Sequence, residues 1–272
     1  MASAARTKYV VRWLCPPALL ELLRGRPPFS RRLVWEGVYK DRQSVPATDD
    51  RYDNSVRVSE FVERARRAKA LMKAGKPMDV PCAWHDALGL LAASIASQPS
   101  IRVLDFGGGV GLGFLQLLSS LRAKTAVCYH VIDLENMCMA GRELFADDSR
   151  IQFYSTWPAL EGNIDIVYAS TVLPYIDDYV GLLRRFAAVK ARYILLNQLA
   201  AGAFSTYAAK QLNLPGQVLA YWFLNIQEVT DVLAAAGYSC MHETQVGHEY
   251  DQSNYPELYR FGRMRTMLFL RD

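Results

Sequence analysis

The chain has 272 residues, 51% of them apolar and 21% charged, which suits one large domain or one domain with a helical extension. A chain of this size buries roughly three quarters of its unfolded surface, so it folds without disulfide or metal staples. The composition excludes disordered, collagen-like and small disulfide-stapled classes. Five scattered cysteines (Cys15, Cys82, Cys128, Cys138, Cys240) with no C-x-x-C pair point to reduced thiols rather than a disulfide framework or a zinc site.

The net charge of +4 is unevenly placed. Residues 1–42 hold nine Lys/Arg against Glu21, Glu36 and Asp41, a balance of +6, and the rest of the chain sums to −2. A basic N-terminal segment can meet a membrane surface or an acidic ligand; a solvated basic face is the plainer reading. Charges at Arg6, Lys8 and Arg12 and the break at Pro16-Pro17 argue against a signal peptide. No apolar run reaches the ~20 residues of a bilayer span. The expected location is the cytoplasm.

In chain order, residues 1 to about 50 read as irregular, punctuated by prolines. Val58, Phe61, Val62, Ala65 and Met72 share one face of a helix that Gly75 and Pro77 stop. A second helix is expected over 83–97, with Leu88, Leu91 and Ile95 inward. From residue 101 short apolar runs alternate with helical stretches. The runs are 101–106, 126–133, 151–154, 164–170, 193–197, 238–243 and 266–271. Helices are expected after the glycines at 107–111, over 135–146, over 177–189, and from Asn225, where Glu228 completes a capping box and Gly237 ends the element. The fold class is therefore α/β, a mostly parallel seven-stranded sheet with helices on both faces and an N-terminal helical extension. The expected division is an extension over 1–98 and a catalytic domain over 99–272, with long insertions at about 199–224 and 246–262.

Val103-Leu104-Asp105-Phe106-Gly107-Gly108-Gly109-Val110-Gly111 leaves a strand and opens a helix, where open α/β sheets bind ligands. G-x-G-x-x-G needs glycine at 112 or 114, but those residues are Leu112 and Phe114, which speaks against a nicotinamide-dependent oxidoreductase. No G-x-x-x-x-G-K-[ST] occurs at this loop either. What stands is Asp, then G-x-G-x-G, and this resembles motif I of class I S-adenosylmethionine-dependent methyltransferases. Asp133 ends the next run and matches the carboxylate that accepts hydrogen bonds from ribose hydroxyls. More narrowly, Trp35-Glu36-Gly37-Val38-Tyr39, Asp165 to Tyr175, Tyr221-Trp222 and Thr266-Met267-Leu268-Phe269 resemble a group of bacterial methyltransferases, the likeness covering roughly residues 30–271. That group has Thr-Arg where this chain has Asn197-Gln198, so an anion contact by the arginine is missing.

The resemblance implies the Rossmann-like methyltransferase fold and S-adenosyl-L-methionine as cofactor. It places the cofactor against Asp105, Phe106, Gly107, Gly108, Gly109, Gly111, Asp133, Leu134, Ser155, Thr156 and Ser170, with the backbone at Gly107 lying against the methionine part. Methyl transfer needs alignment above all, and a base only for a hydroxyl or a protonated amine. The histidines available as bases are His248, His242 and His85; His130 lies inside an apolar strand and reads as core. Asp177 and Asp178 are as suited to capping a helix. No metal-ligand spacing occurs, and no metal is expected. Phe204, Tyr207, Tyr221, Trp222, Tyr250, Tyr255, Tyr259 and Phe261 populate the two insertions. With interleaved Asn and Gln they suit either a polyhydroxylated acceptor or a small folded core. The expected activity is methylation of a small molecule, with a saccharide hydroxyl as the sharper form and no nucleic-acid partner. A non-catalytic binding or scaffold protein of the same fold is the rival.

Overall fold

A computed structural model describes residues 33–48, 55–76, 85–121, 125–160, 162–214 and 216–272. The basic segment before residue 33, and with it any membrane-surface contact through the N-terminus, lies outside the described residues. Among the described residues no helix is long and apolar enough to cross a membrane.

The apolar runs become a seven-stranded sheet made of β2 (Ser100–Phe106), β3 (Ala126–Ile132), β4 (Ile151–Tyr154), β5 (Ile166–Ser170), β6 (Tyr193–Leu199), β10 (Tyr238–Val246) and β11 (Met264–Arg271). Their order is β10-β11-β6-β5-β2-β3-β4. β2 to β6 run parallel, and β11 enters antiparallel between β6 and β10. Because β2 lies between β3 and β5, the chain winds outward from it in both directions. That makes the carboxyl end of β2 the switch point, where neighbouring crossover connections diverge and leave a crevice.

Helices cover both faces, as the continuous apolar strands require. α1 (Ser55–Lys73), α2 (Asp86–Ser94), α3 (Leu112–Ser120) and α4 (Glu135–Leu144) bury Ala65, Leu88, Phe114 and Met137 on one face. α5 (Tyr179–Ala188) and α6 (Ile226–Ala234) bury Leu183, Phe186, Val229 and Leu233 on the other. Asn225 accepts from the Glu228 N–H, and Asp178 accepts from the Gly181 N–H, as the N-caps require. The second half of the expected capping box is replaced: the Asn225 N–H donates to Thr206 Oγ1, and the Glu228 carboxylate accepts from the hydroxyls of Tyr179 and Thr206.

The expected insertion at 199–224 is no loop. It forms β7 (Ala201–Gly202), β8 (Tyr207–Leu214) and β9 (Gln217–Asn225), and β1 (Trp35–Tyr39) joins them in a second sheet of order β1-β8-β9-β7. The segment before residue 50, read as irregular, thus supplies a strand whose Trp35 is registered with Gln211. Trp35 is ringed by Tyr221, Phe223, Tyr250 and Phe261 at 4.9–5.5 Å between centroids. Tyr207 stacks on Phe223 at 4.8 Å. Most of the aromatics of both insertions are therefore spent on a compact core of their own, which decides between the two uses their composition allowed. Arg42 locks this unit to the main sheet. Its side chain is 8% exposed and donates to the carbonyls of Pro174 and Ala220 and to Asp177, just past the end of β5.

Candidate functional site

The turn after β2 rests on a buried carboxyl. Asp105 is 1% exposed, and its Oδ2 accepts the Tyr129 hydroxyl at 2.6 Å. The backbone lies directly on that group. A Cβ on Gly108 would stand 2.4 Å from the carboxylate, and one on Gly113 would stand 2.5 Å from the Tyr129 hydroxyl. Burial pushes the Asp105 carboxyl up to about 7, the Tyr129 hydrogen bond opposes this, and the negative charge of Asp133 adds to it. Asp105 thus supports the turn from below.

Gly109 has a different role. It sits at φ 57°, and no atom lies within 4 Å of where its Cβ would be. Its N–H donates to Asp133 Oδ2 at 2.7 Å, across the gap between the tips of β2 and β3. Asp133 Oδ1 also accepts the Leu134 N–H at 2.7 Å. Both bonds fix the carboxylate at the tip of β3, beside the glycine turn. A Cβ at Gly107, where φ is 75°, would meet Val172 Cγ2 at 2.6 Å, so the turn there is fitted against the loop after β5, while Gly109 faces open space. Gly111, at φ 92°, caps α3, whose free N–H groups at its first turn favour an anion. Leu134, Ser155 and Thr156 are exposed at the neighbouring strand tips, with Ser155 hydrogen-bonded to Glu135. Phe106 packs on Trp157 and Phe186.

A second polar chain runs beneath the tips of β5 and β6. The Tyr168 hydroxyl lies 2.8 Å from His85 Nδ1 and accepts from Asn197 Nδ2 at 3.2 Å. Asn197 Nδ2 also reaches Ser170 Oγ at 3.2 Å, and Asn197 Oδ1 accepts from Thr266 Oγ1 at 2.6 Å. Burial pulls the His85 imidazole down to about 4, so it stays neutral. Its Nδ1 is within reach of the Tyr168 proton, and it is ill suited to take another from a substrate. His242 stands midway along edge strand β10, opposite Leu268 and four strands from β2. His130 is buried between Cys128 and Tyr154, as read. His248 follows β10 on the edge of the sheet that carries the other strand ends, its ring 4.4 Å from that of Tyr250. The structure therefore gathers the glycine turn, Asp133, Ser155, Thr156 and Ser170 along one edge. Of the three histidines it leaves His248 on that edge as an exposed side chain.

Two residues on the same edge have backbone conformations that the sequence does not signal. Thr171, directly after β5, has φ 58°, and Gln198, near the end of β6, has φ 52°. Neither Thr nor Gln announces a left-handed backbone, so no sequence signal could have found them.

A family model described as a methyltransferase domain matches residues 78–243. The chain belongs to this methyltransferase family. Its cofactor is S-adenosylmethionine, and the residues present fit it: an uncluttered glycine at the turn, a helix N-terminus beyond it, and a carboxylate at the second strand tip. No protein in a curated set matches the sequence. Among solved structures, magnesium protoporphyrin IX methyltransferase from Synechocystis PCC 6803 with bound SAM is 16% identical, covering 83% of this chain and 100% of that one at a TM-score of 0.48. An amino pentose methyltransferase from Micromonospora echinaspora is 15% identical over 78% and 97% of the two chains, TM-score 0.48. A Burkholderia thailandensis 1,6-didemethyltoxoflavin-N1-methyltransferase is also 15% identical, over 83% and 93%, TM-score 0.48.

Two outcomes are expected of this site. Asp133→Ala should weaken S-adenosylhomocysteine binding by ten- to a hundredfold in calorimetry, since hydrogen bonds to a charged group contribute about 1.5–3 kcal/mol. Asp133→Asn, which keeps an acceptor for the Gly109 N–H, separates loss of the charge from loss of the turn. The second outcome concerns pH. Between its ordinary value of 3.8 and about 7, Asp105 keeps in the folded state a proton that the unfolded chain releases, so stability falls as pH rises. His85, shifted from 6.5 to about 4, acts oppositely, and stability rises with pH across that window. The two slopes oppose each other between about 4 and 6.5. Asp105→Asn removes only the first, so the melting temperature of the variant minus that of the wild type should climb from pH 4 to 7. A constant difference would show Asp105 ionised in the native state.

Proposed function

We propose that this chain transfers the methyl group of S-adenosylmethionine to a hydroxyl of a small, neutral, polyhydroxylated acceptor of saccharide type. The observation that carries the methyl-donor part is the Gly109–Asp133 junction, with open space on one side of the glycine and a carboxylate on the other. The character of the neighbouring rim supports the acceptor part. Thr171 and Gln198 are polar, uncharged and partly exposed there. Arg265, on the strand beside β6, is paired with Glu243.

Bound S-adenosylmethionine supplies a sulfonium-activated methyl group, and its transfer leaves the bonding electron pair on sulfur. The chain has two tasks around that event. One is alignment: the turn and Asp133 hold the donor, and the tips of β5 and β6 hold the acceptor in line, an effect of up to about 7–11 kcal/mol in well-oriented reactions. The other is the proton of the acceptor hydroxyl, which in this reading passes to a ring nitrogen of His248. His85 takes no part in that transfer, because burial lowers its pKa to about 4, which makes it a weak base, and its Nδ1 is engaged with the Tyr168 hydroxyl.

S-adenosylmethionine and S-adenosylhomocysteine should each stabilise the protein, by about 2.7 kcal/mol at a hundredfold excess over Kd, and NAD should not. Incubation with methyl-labelled S-adenosylmethionine and a panel of methyl hexopyranosides should yield labelled ether. Stabilisation without transfer to any glycoside or extract component would favour a binding protein instead.

A further inference from the structure

Left-handed backbone at a residue other than glycine costs of order 1–3 kcal/mol and persists only where the surroundings enforce it. Three described residues show it: Thr171, Lys190 and Gln198. Lys190 follows α5, where a left-handed residue is an ordinary way to end a helix. Thr171 and Gln198 end no helix; they stand at the tips of β5 and β6. A β-branched residue at positive φ is an outlier on any backbone map.

The two are neighbours. Ser170 is registered with Asn197 across β5 and β6, and the Thr171 N–H donates to the Asn197 carbonyl at 2.9 Å. Gln198 sits in a bulge of β6: Leu196 faces Met267 and Leu199 faces Arg265, so Asn197 and Gln198 together oppose Thr266. Bulges beside active sites re-aim a side chain. Here the bulge separates two uses. The Asn197 amide is consumed inward by Tyr168, Ser170 and Thr266. Gln198 is partly exposed, and its amide has no hydrogen bond to any described residue; the same holds for the Thr171 hydroxyl. Two strained, adjacent backbone positions thus carry polar side chains with no bond to a described residue, on the sheet edge that carries the cofactor turn.

We propose that Thr171 and Gln198 are the acceptor-binding pair, a hydroxyl and a carboxamide that together hydrogen-bond an uncharged polar group of the acceptor next to the atom that is methylated. This rests on the methyltransferase reading above and adds the residues that select the acceptor. A hydroxyl and an amide each donate and accept, so the pair can match vicinal hydroxyls, which also do both.

The test compares Thr171→Gly, Gln198→Gly and Lys190→Gly, all of which release the same backbone strain. Each should melt at or above the wild-type temperature, by up to about 3 °C. The first two should bind S-adenosylhomocysteine as the wild type does, yet lose tenfold or more in label transfer to the methyl hexopyranosides, mainly through KM. Lys190→Gly should transfer label at the wild-type rate. Unchanged transfer in both Thr171→Gly and Gln198→Gly overturns the pair, as does a loss of cofactor affinity equal to the loss of transfer. Melting well below wild type in both also overturns it, because no strain would then be held for function. If the wild type labels an extract component and no glycoside, the saccharide reading fails, and the pair is judged on transfer to that component.

Discussion

A carboxyl taken almost wholly out of water, beneath a turn of glycines, is the constraint on which this site depends. Asp105 ends up there because its strand is central and its partner, Tyr129, lies on the adjacent strand with its hydroxyl at hydrogen-bond distance. Once the carboxyl is in place, the backbone above it has no room for side chains at Gly108 and Gly113. Those glycines bring α3 close against the strand ends, and this sets its first turn beside the opening at Gly109. The polar group is satisfied by one strong bond, and its burial leaves it near the point of taking up a proton.

The other side of the site is held by a different device. The chain of His85, Tyr168, Ser170, Asn197 and Thr266 ties α2, β5, β6 and β11 together below the rim. The second sheet, fixed by Arg42, braces the loop after β5 from the outside. Strained residues at the tips of β5 and β6 are tolerable because they are bracketed by these two rigid supports. The chemistry of methyl transfer asks chiefly for fixed geometry, and the molecule supplies it through packing, through hydrogen bonds beneath the rim, and through the charged anchors Asp133 and Arg42.

Much of this was legible in the residues. Apolar runs of four to eight residues between helical stretches marked the parallel strands, since strands covered on both faces admit few polar side chains; β10, the edge strand, is exposed along most of its length. The Asn225 N-cap and the strand, turn and helix around Asp105 to Gly111 were legible because each depends on local chemistry; the Glu228 half of the expected capping box was not, because its carboxylate is taken by the hydroxyls of Tyr179 and Thr206. The second sheet was hidden for a physical reason. β1 pairs with β8 across more than 160 residues of chain, and nothing near Trp35 encodes Gln211 as its partner. Tyr221-Trp222-Phe223 reads equally well as a pocket lining or a core, because composition records burial and not what does the burying. The orientation of Gly107 toward Val172, the enclosure of His85 and the signs of φ at Thr171 and Gln198 are properties of tertiary packing, and single-sequence patterns do not contain them.

The central claim is that the ligand lies between the turn after β2 and the tip of β3. Titration of isotope-labelled protein with S-adenosylhomocysteine, followed amide by amide in nuclear magnetic resonance spectra, tests it most directly. The account predicts saturable shifts at Gly107 to Gly113, with the largest at Gly109, and at Asp133 and Leu134, while Cys240 to Gln245 on the edge strand stay in place. Saturable shifts centred instead on the cleft of about 550 Å³ lined by Arg142, Asp148, Gln152 and Tyr154, with the glycine turn unmoved, would contradict it.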